Sequence, residues 1–260
     1  MTRVLSALAL LPIVVGVIWF LPSIWTLIVL EAILLRAVVE YSEISIRTGV
    51  SFSRVATVTA AMATCATFGL APSQLPLVLM IATVGIGLVE LAQQGPQSIL
   101  ASMAVAALSL LYLAIPLGSM AALRTQAGPE VLLLFLATVM ASDTSQYYGG
   151  RAIGKRQLAP VMSPKKTIEG ALFGLVAGMA VMGIVGRWWL PGVDPLSRSV
   201  LGLTVAGLGI TGDLFESSLK RGATLKDASS VIPGHGGVLD RLDGFLFAAP
   251  VYYTVVVLTR

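Results

Sequence analysis

The sequence predicts an all-α, polytopic integral membrane protein. Two observations indicate this class: the composition and the pattern of long apolar segments. Hydrophobic residues make up 56% of the chain and charged residues only 12%, whereas soluble proteins carry about 25% charged residues. These charges are too few to cover the surface of a water-soluble protein of 260 residues. Lipid must therefore contact most of the surface. In lipid only helices and closed barrels satisfy the backbone hydrogen bonds. The apolar runs exceed a barrel strand of about 10 residues and do not alternate with period two, which favours helices.

About nine apolar segments are long enough to be transmembrane helices. The first has Arg3 before its apolar core, as a signal peptide does, but no small-residue cleavage site follows it. We therefore interpret it as a retained first helix. The nine segments are 4–20, 23–40, 55–71, 76–93, 99–116, 131–148, 168–186, 199–217 and 244–259.

The distribution of Lys and Arg predicts that the N-terminus faces the cytoplasm. In that orientation 13 of the 17 basic residues lie on the cytoplasmic side and 4 on the other, as the positive-inside rule requires. Both polar segments, 149–167 and 218–243, then face the cytoplasm. We divide the chain into N-terminal transmembrane helices, residues 1–120, and a catalytic transmembrane region, residues 121–260, that carries these two loops.

Three glycines of the seventh segment lie four residues apart on one helix face: Gly170, Gly174 and Gly178. Small residues at this spacing let helices approach closely. We interpret the stripe as helix packing within one subunit and not as a dimer contact.

The richer of two polar clusters follows the eighth segment, and polar residues clustered in so apolar a chain indicate function. Asp213 and Glu216 lie three residues apart at the end of that helix. Asp240 and Asp243 repeat the spacing at the start of the next, so each pair shares one helix face. These carboxylates repel one another unless a cation holds them. Oxygen ligands without cysteine favour Mg²⁺, which takes one or two carboxylates together with substrate phosphates.

Basic residues are interleaved with these acids, as a bound polyphosphate requires. They are Lys220, Arg221, Lys226 and Arg241. A glycine-rich turn at 234–237 lets backbone N–H groups approach phosphate oxygens. We interpret His235, the single histidine, as a hydrogen-bonding group and not as an acid. A loop of solvated charges is the plain alternative, but it needs four acids, four bases and this histidine to coincide within about thirty residues.

The other polar cluster joins the sixth and seventh segments. Gly149 to Lys155 spells G-x-x-x-x-G-K, but Arg156 replaces the Ser or Thr of a P-loop and the preceding element is a membrane helix. A P-loop ATPase is therefore rejected, although these Gly and Lys residues remain candidates for holding a triphosphate. Ser163 and the two following lysines precede a helix N-terminus, where backbone N–H groups attract anions.

The run from Ser218 to Asp243 resembles the signature of the phosphatidate cytidylyltransferases, also called CDP-diacylglycerol synthases. It reads S-L-K-R-G-A-T-L-K-D-A-S-S-V-I-P-G-H-G-G-V-L-D-R-L-D. The S-P-K-K-T-I-E-G run that begins at Ser163 and the segment around Asp143 also resemble the family. Specific similarity covers about the last 120 residues.

The resemblance implies an enzyme that joins CTP to phosphatidate from the inner leaflet, giving CDP-diacylglycerol and pyrophosphate. It implies a homodimer among the lipids of the bacterial cytoplasmic membrane, with the active site facing the cytoplasm. Mg²⁺ is the implied cofactor, with a monovalent cation such as K⁺ as a further candidate, and the implied metal ligands are Asp213, Asp240 and Asp243. The residues expected in catalysis are Asp240, Asp243, Lys226 and Asp227. Those expected to bind substrate are Asp143, Lys155, Ser163, Lys165, Lys166, Lys220, Arg221, His235, Gly236 and Arg241.

Other functions remain open on the sequence. An ion-coupled transporter also carries acids in its spans, but usually near the midplane and not at the helix ends. Another CTP-using membrane enzyme would act on an isoprenoid lipid, or would transfer the γ-phosphate to a lipid alcohol and release CDP. An inactive relative would not need the intact set of acids. Nucleic acid is not an expected partner, because the basic residues form no continuous polar face.

The second segment carries four charges near its cytoplasmic end: Glu31, Arg36, Glu40 and Glu43. We interpret them as surface charges whose long side chains reach out of the lipid. A contact with a lipid headgroup is the alternative.

Overall fold

The computed structural model describes residues 12–229 and 236–259. Helices account for most of these residues, which confirms the predicted all-α class. His235, for which a role was predicted, lies outside the described residues, as do Arg3 and Arg260. The helices are α1 (residues 12–20), α2 (Ser23–Arg47), α3 (Arg54–Leu70), α4 (Leu75–Gln93), α5 (Ile99–Ser109), α6 (Ile115–Gln126), α7 (Pro129–Ile153), α8 (Ile168–Trp189), α9 (Pro195–Gly222), α10 (Leu239–Leu246) and α11 (Ala248–Leu258).

Within the described residues, five helical stretches have the length and apolar composition to cross a membrane. They are Pro72–Gln93, Ile99–Gln126, Ile168–Trp189, Pro195–Gly222 and Leu239–Leu258. Helix α3 is a shorter apolar helix, and α2 is long but carries several charges. The chain is therefore a helical membrane protein. The nine crossings and the cytoplasmic N-terminus stay predictions.

Packing divides the described residues into two compact units. The first consists of the described parts of Met1–Gln126 and Leu219–Arg241, and the second consists of Ala127–Ser218 and Leu242–Arg260. The segment with the family signature thus belongs mainly to the unit that the N-terminal helices form. The predicted division into residues 1–120 and 121–260 concerned function, and it stays a prediction.

In the first unit, α3 packs against α2, α4 and α6. A π-helical turn, Leu110–Ala114, joins α5 to α6 just before Pro116. Proline has no N–H and its ring clashes with the carbonyl four residues earlier, so the wider turn lets the helix continue past it. Fully buried apolar side chains form the core of this unit, among them Leu34, Cys65 and Leu117.

In the second unit, α7 and α8 lie side by side over most of their length. Gly170 and Gly174 of α8 face α7, where an added Cβ at either position would collide with Gln146. Gly178 faces α9 instead, and a Cβ there would collide with Ala206. The predicted close packing within one chain is confirmed for all three glycines.

An antiparallel hairpin that the sequence did not predict connects α7 to α8. Its strands are β1 (Gln157–Ala159) and β2 (Ser163–Thr167), and Gln157 pairs with Thr167 while Ala159 pairs with Ser163. Strands this short show no alternation of apolar and polar residues, so the segment was expected to be a loop. The hairpin matters because β2 carries Lys165 and Lys166.

Replacing Gly178 with alanine should destabilise the protein by about 1–3 kcal/mol, because the new methyl group overpacks the contact between α8 and α9. The matched control is Gly85→Ala on α4, where an added Cβ has no neighbour within 4 Å. Both changes improve helix propensity equally, so the difference in the thermal unfolding midpoint in detergent isolates the clash. Equal midpoints for the two variants would contradict the packing described.

Candidate functional site

In the second unit, predicted acids and a predicted base meet where β2, α9 and α10 come together. Lys166 on β2 forms an ion pair with Asp213 on α9, and the two side chains are 20% and 23% exposed. A Cβ on Gly212 would overlap the carbonyl oxygen of Asp243, so α9 and α10 touch backbone to backbone at this point. Asp213 and Asp243 therefore lie on neighbouring helices, close to the point where α9 and α10 touch.

Two contacts at the start of α8 fix the hairpin that carries Lys166. Thr167 is the N-cap of α8, and its hydroxyl oxygen accepts a hydrogen bond from the Gly170 N–H at 3.1 Å. Glu169 Oε2 accepts from the backbone N–H groups of Lys155 and Arg156 at 3.0 and 3.2 Å. Such caps satisfy donors that a helix start or a turn otherwise leaves open. Lys166 is thus held in place by its own strand and by the helix that follows.

These contacts change the expectation for the G-x-x-x-x-G-K segment. Residues 149–153 are still part of α7, and the two N–H groups that follow Gly154 already donate to Glu169. The backbone therefore does not form an open phosphate cradle. The side chains of Lys155, Lys165 and Asp143 are exposed, whereas Ser163 is half-buried.

In the first unit, the carboxylate of Asp240 holds the signature segment together. Its Oδ1 pairs with Lys220 Nζ at 2.5 Å, and both side chains are nearly buried. Its Oδ2 accepts from the backbone N–H groups of Ala228 at 2.9 Å and Gly237 at 2.7 Å. Both oxygens of Asp240 thus have protein partners.

A second carboxylate of the first unit, Glu40 on α2, binds the same segment from the other side. Its side chain is fully buried. It accepts hydrogen bonds from the Ser229 hydroxyl and from the N–H groups of Val238 and Leu239, and it forms an ion pair with Arg36. The interpretation of Glu40 as a surface charge is therefore wrong, because donors almost 200 residues away in sequence cover it.

The two glycines before α10 make room for these carboxylates. Gly236 has a φ of +79°, a conformation that side chains other than glycine rarely adopt. A Cβ on Gly236 would meet the Asp240 carboxylate, and a Cβ on Gly237 would meet the Glu40 carboxylate. These glycines thus let the turn bind the protein's own carboxylates. Its role in binding phosphate stays a prediction.

Several predicted residues border the outer side of the segment. Arg221 donates to the Leu225 carbonyl at 2.8 Å and shapes the turn after α9. The side chains of Lys226, Asp227 and Arg241 are exposed. A polar cavity of about 280 Å³ lies between the end of α2 and this segment. Its lining residues are Arg36, Glu43, Arg47, Leu225, Asp227, Ala228 and Ser229.

The donor set fits a magnesium ion in part. Among the residues that the structure describes, no three His, Cys, Asp or Glu side chains come close enough together to hold a metal. Mg²⁺ needs only one or two carboxylates when water and substrate phosphates complete its shell. Asp213 and Asp243 supply two such carboxylates on helices that touch at Gly212, and each also has a protein partner: Lys166 for Asp213 and the Gly244 N–H for Asp243. Protein donors occupy both oxygens of Asp240 as well, so all three metal ligands stay predictions.

Comparison with known proteins supports the resemblance seen in the sequence. A profile of the cytidylyltransferase family matches residues 1–259. A phosphatidate cytidylyltransferase of Synechocystis sp. is 43% identical over 133 residues, which are 50% of this chain and 45% of that protein. That of Thermotoga maritima is 33% identical over 192 residues, or 71% and 69% of the two chains. That of Bacillus subtilis is 35% identical over 136 residues, or 51% and 49%. In the first of these matches the chain spans about half the length of its relative.

Replacing Asp240 with asparagine should loosen the signature segment. The amide loses the charge that pairs with Lys220, and it presents a donor where two donors now converge. A local cost of about 1 kcal/mol or more follows, so trypsin should cut after Lys226 at least about five-fold faster. The control is Asp194→Asn, whose side chain is exposed and far in sequence from the cleaved bond, and whose cleavage rate after Lys226 should match the wild type. An unchanged rate for Asp240→Asn would show that this carboxylate does not hold the segment.

Proposed function

Because the chain belongs to the cytidylyltransferase family, we propose that it transfers the cytidylyl group of CTP to phosphatidate, forming CDP-diacylglycerol and pyrophosphate. The observation that carries the proposal is the Lys166–Asp213 ion pair beside the backbone of Asp243. It pairs a cation suited to phosphate with a carboxylate suited to a metal in the last third of α9, beside the helix that carries Asp243. That combination suits a nucleoside triphosphate better than a transported ion, which is usually bound near the midplane.

The pairing of lysines with aspartates is consistent with a site that exchanges partners on binding. Each of the two pairs, Lys166–Asp213 and Lys220–Asp240, joins a base expected to bind phosphate to an acid expected to bind metal. Charges out of water must be compensated, and a lone buried ion is costly. When CTP arrives, Lys166 would turn from Asp213 to a phosphate oxygen, and compensation would be kept throughout. The structure thus supports two ion pairs, one in each unit, in which these residues neutralise each other before substrate binds.

The proposed reaction is a direct displacement at the α-phosphate of CTP. The phosphate monoester of phosphatidate has a second pKa of about 6, so it is already a dianion at neutral pH and needs no general base. Mg²⁺ held by Asp213 and Asp243 would supply positive charge to the phosphate oxygens of CTP. The residues proposed to neutralise the departing pyrophosphate are Lys165, Lys166, Lys220 and Arg221. No covalent intermediate with the protein is required.

We further propose that the reaction takes place at the cytoplasmic face of a bacterial inner membrane. The support is the charge asymmetry of the sequence, with 13 of 17 basic residues on the side that carries both polar segments, as the positive-inside rule requires. Nine crossings with a cytoplasmic N-terminus are part of the same proposal. A homodimer and a K⁺ ion beside the magnesium rest on the family resemblance alone.

The test of the reaction uses purified protein, phosphatidate, Mg²⁺ and CTP labelled at either the α- or the γ-phosphate. The proposal expects the α-label in lipid and the γ-label in pyrophosphate. A lipid kinase would put the γ-label into lipid and release CDP. Omission of phosphatidate, or its replacement by an isoprenoid phosphate, identifies the acceptor. Absence of α-labelled lipid in the complete mixture would rule out the proposed reaction.

Asp243→Asn should lower kcat at least about 100-fold, because a charge that binds the metal is lost. The protein should stay folded. The matched control is Asp194→Asn at the other end of α9. Hydrogen bonds from the Ser197 hydroxyl and from backbone N–H groups lower the pKa of Asp194, so this residue is ionised under assay conditions. Its replacement should keep activity, because asparagine caps helices as well as aspartate does. Near-normal activity of Asp243→Asn would remove Asp243 from the metal site.

A further inference from the structure

Helix α2 lies far in sequence from the family signature, yet it supplies a buried carboxylate to that segment. Glu40 is 0% exposed. Three of its donors lie 189 to 199 residues further along the chain. A buried carboxylate is tolerated only where charged or N–H partners replace its water. The contact is therefore built into the fold of the first unit.

Among the described residues, three hydrogen-bond donors and one ion-pair partner share the two oxygens of Glu40. Oε1 accepts from the Ser229 hydroxyl at 2.7 Å and the Val238 N–H at 3.1 Å, and it pairs with Arg36 at 3.2 Å. Oε2 accepts from the Leu239 N–H at 2.8 Å. Val238 and Leu239 stand at the start of α10, whose first N–H groups have no partner within the helix. Glu40 is thus a helix cap supplied from a distant part of the chain.

Glu40 and Asp240 together fix both ends of one stretch of the signature. Asp240 binds the N–H groups of Ala228 and Gly237, and Glu40 binds Ser229 and the two residues that follow Gly237. Residues 228–229 are thereby held against residues 237–239. The start of α10, and with it the direction in which Asp240 meets Lys220, depends on this double attachment.

We propose that Glu40 is a positioning residue for the transfer reaction: it caps α10 and so sets the geometry of the Asp240–Lys220 pair and of the segment around it. The inference rests on the proposed function. Glu40 acts through other residues and does not touch the substrate. A displacement of about 1 Å in a catalytic group costs on the order of 100-fold in rate, so the loss of this cap affects turnover more than substrate binding.

Glutamine tests the proposal because it keeps the size of the side chain. Its amide oxygen can replace Oε1 and keep Ser229 and Val238. Its NH₂ group then faces the Leu239 N–H, so two donors meet and the cap of α10 is lost. The Leu239 amide should therefore exchange with solvent faster in Glu40→Gln than in the wild type.

The first unit offers a matched control in Glu90 on α4. This carboxylate is also 0% exposed, and its Oε1 accepts from the Ser53 N–H at 2.6 Å at the start of α3. Glu90→Gln neutralises an equally buried acid in the same unit, at a helix start that carries no predicted site residue. A general effect of losing a buried charge would appear in both variants.

The experiment measures labelled CDP-diacylglycerol formation and amide exchange in the full-length wild type, Glu40→Gln and Glu90→Gln. Glu40→Gln should lower kcat about ten- to hundred-fold and change KM for CTP less than about three-fold. In the same variant, the Leu239 amide should lose its protection against hydrogen exchange. Glu90→Gln should keep kcat within two-fold and protection at Leu239. If Glu40→Gln fails to fold, Ser229→Ala removes a single donor and should lower kcat two- to five-fold.

The possible failures can be told apart. If the wild type forms no labelled lipid, the proposed function fails, and the rate effect of Glu40 fails with it. If the wild type is active but Glu40→Gln keeps its kcat, or changes only KM, positioning by Glu40 is overturned. An equal loss of kcat in Glu90→Gln overturns it too, since any buried charge would then have the same effect. Unchanged protection at Leu239 overturns the cap itself.

Discussion

Carboxylates removed from water need donors, and this requirement shapes the described part of the signature segment. A buried ion without partners costs several kcal/mol, and an unpaired backbone N–H also costs free energy. Residues 226–229 and 237–238 lie outside the helices and strands, so helix and sheet hydrogen bonds cannot satisfy them. Glu40 and Asp240 solve both problems at once, because each accepts backbone N–H groups from this stretch. The acids are compensated and the chain acquires a fixed path.

The positions of the helices could be predicted because apolar length is a local signal. The segment predicted at 168–186 is the helix Ile168–Trp189, and that predicted at 76–93 is Leu75–Gln93. The ends were less accurate where a helix leaves the apolar region: α7 was expected to end near residue 148 and continues to Ile153. The hairpin escaped prediction because its strands are too short to show a period. Hydrogen bonds between Gln157 and Thr167 define it, and composition does not.

The residue types of the site could be predicted, but their pairing could not. Clusters of acids and bases in an apolar chain pointed to Asp213, Lys166, Asp240 and Lys220. Lys166 and Asp213 are 47 residues apart in sequence, and Lys220 and Asp240 are 20 apart, so no local pattern joins them. The acids were assigned to a metal and the bases to phosphate, whereas in the structure each of these acids pairs with one of the bases. Glu40 was missed because its donors lie almost 200 residues away and because the other charges on the same helix suggested a helix surface.

Glycines at the site determine how closely these acids approach the backbone. Gly237 donates its N–H to Asp240 at 2.7 Å, while the space that a Cβ would need is filled by the Glu40 carboxylate. Gly212 on α9 likewise allows a close approach, because the carbonyl of Asp243 occupies the space that a Cβ would need. A side chain at either position would push a carboxylate-bearing helix outward, and nearby hydrogen bonds would lengthen with it. Gly236 and Gly237 of the signature are therefore explained by contacts within the first unit, where one of the N-terminal helices supplies Glu40 to this segment.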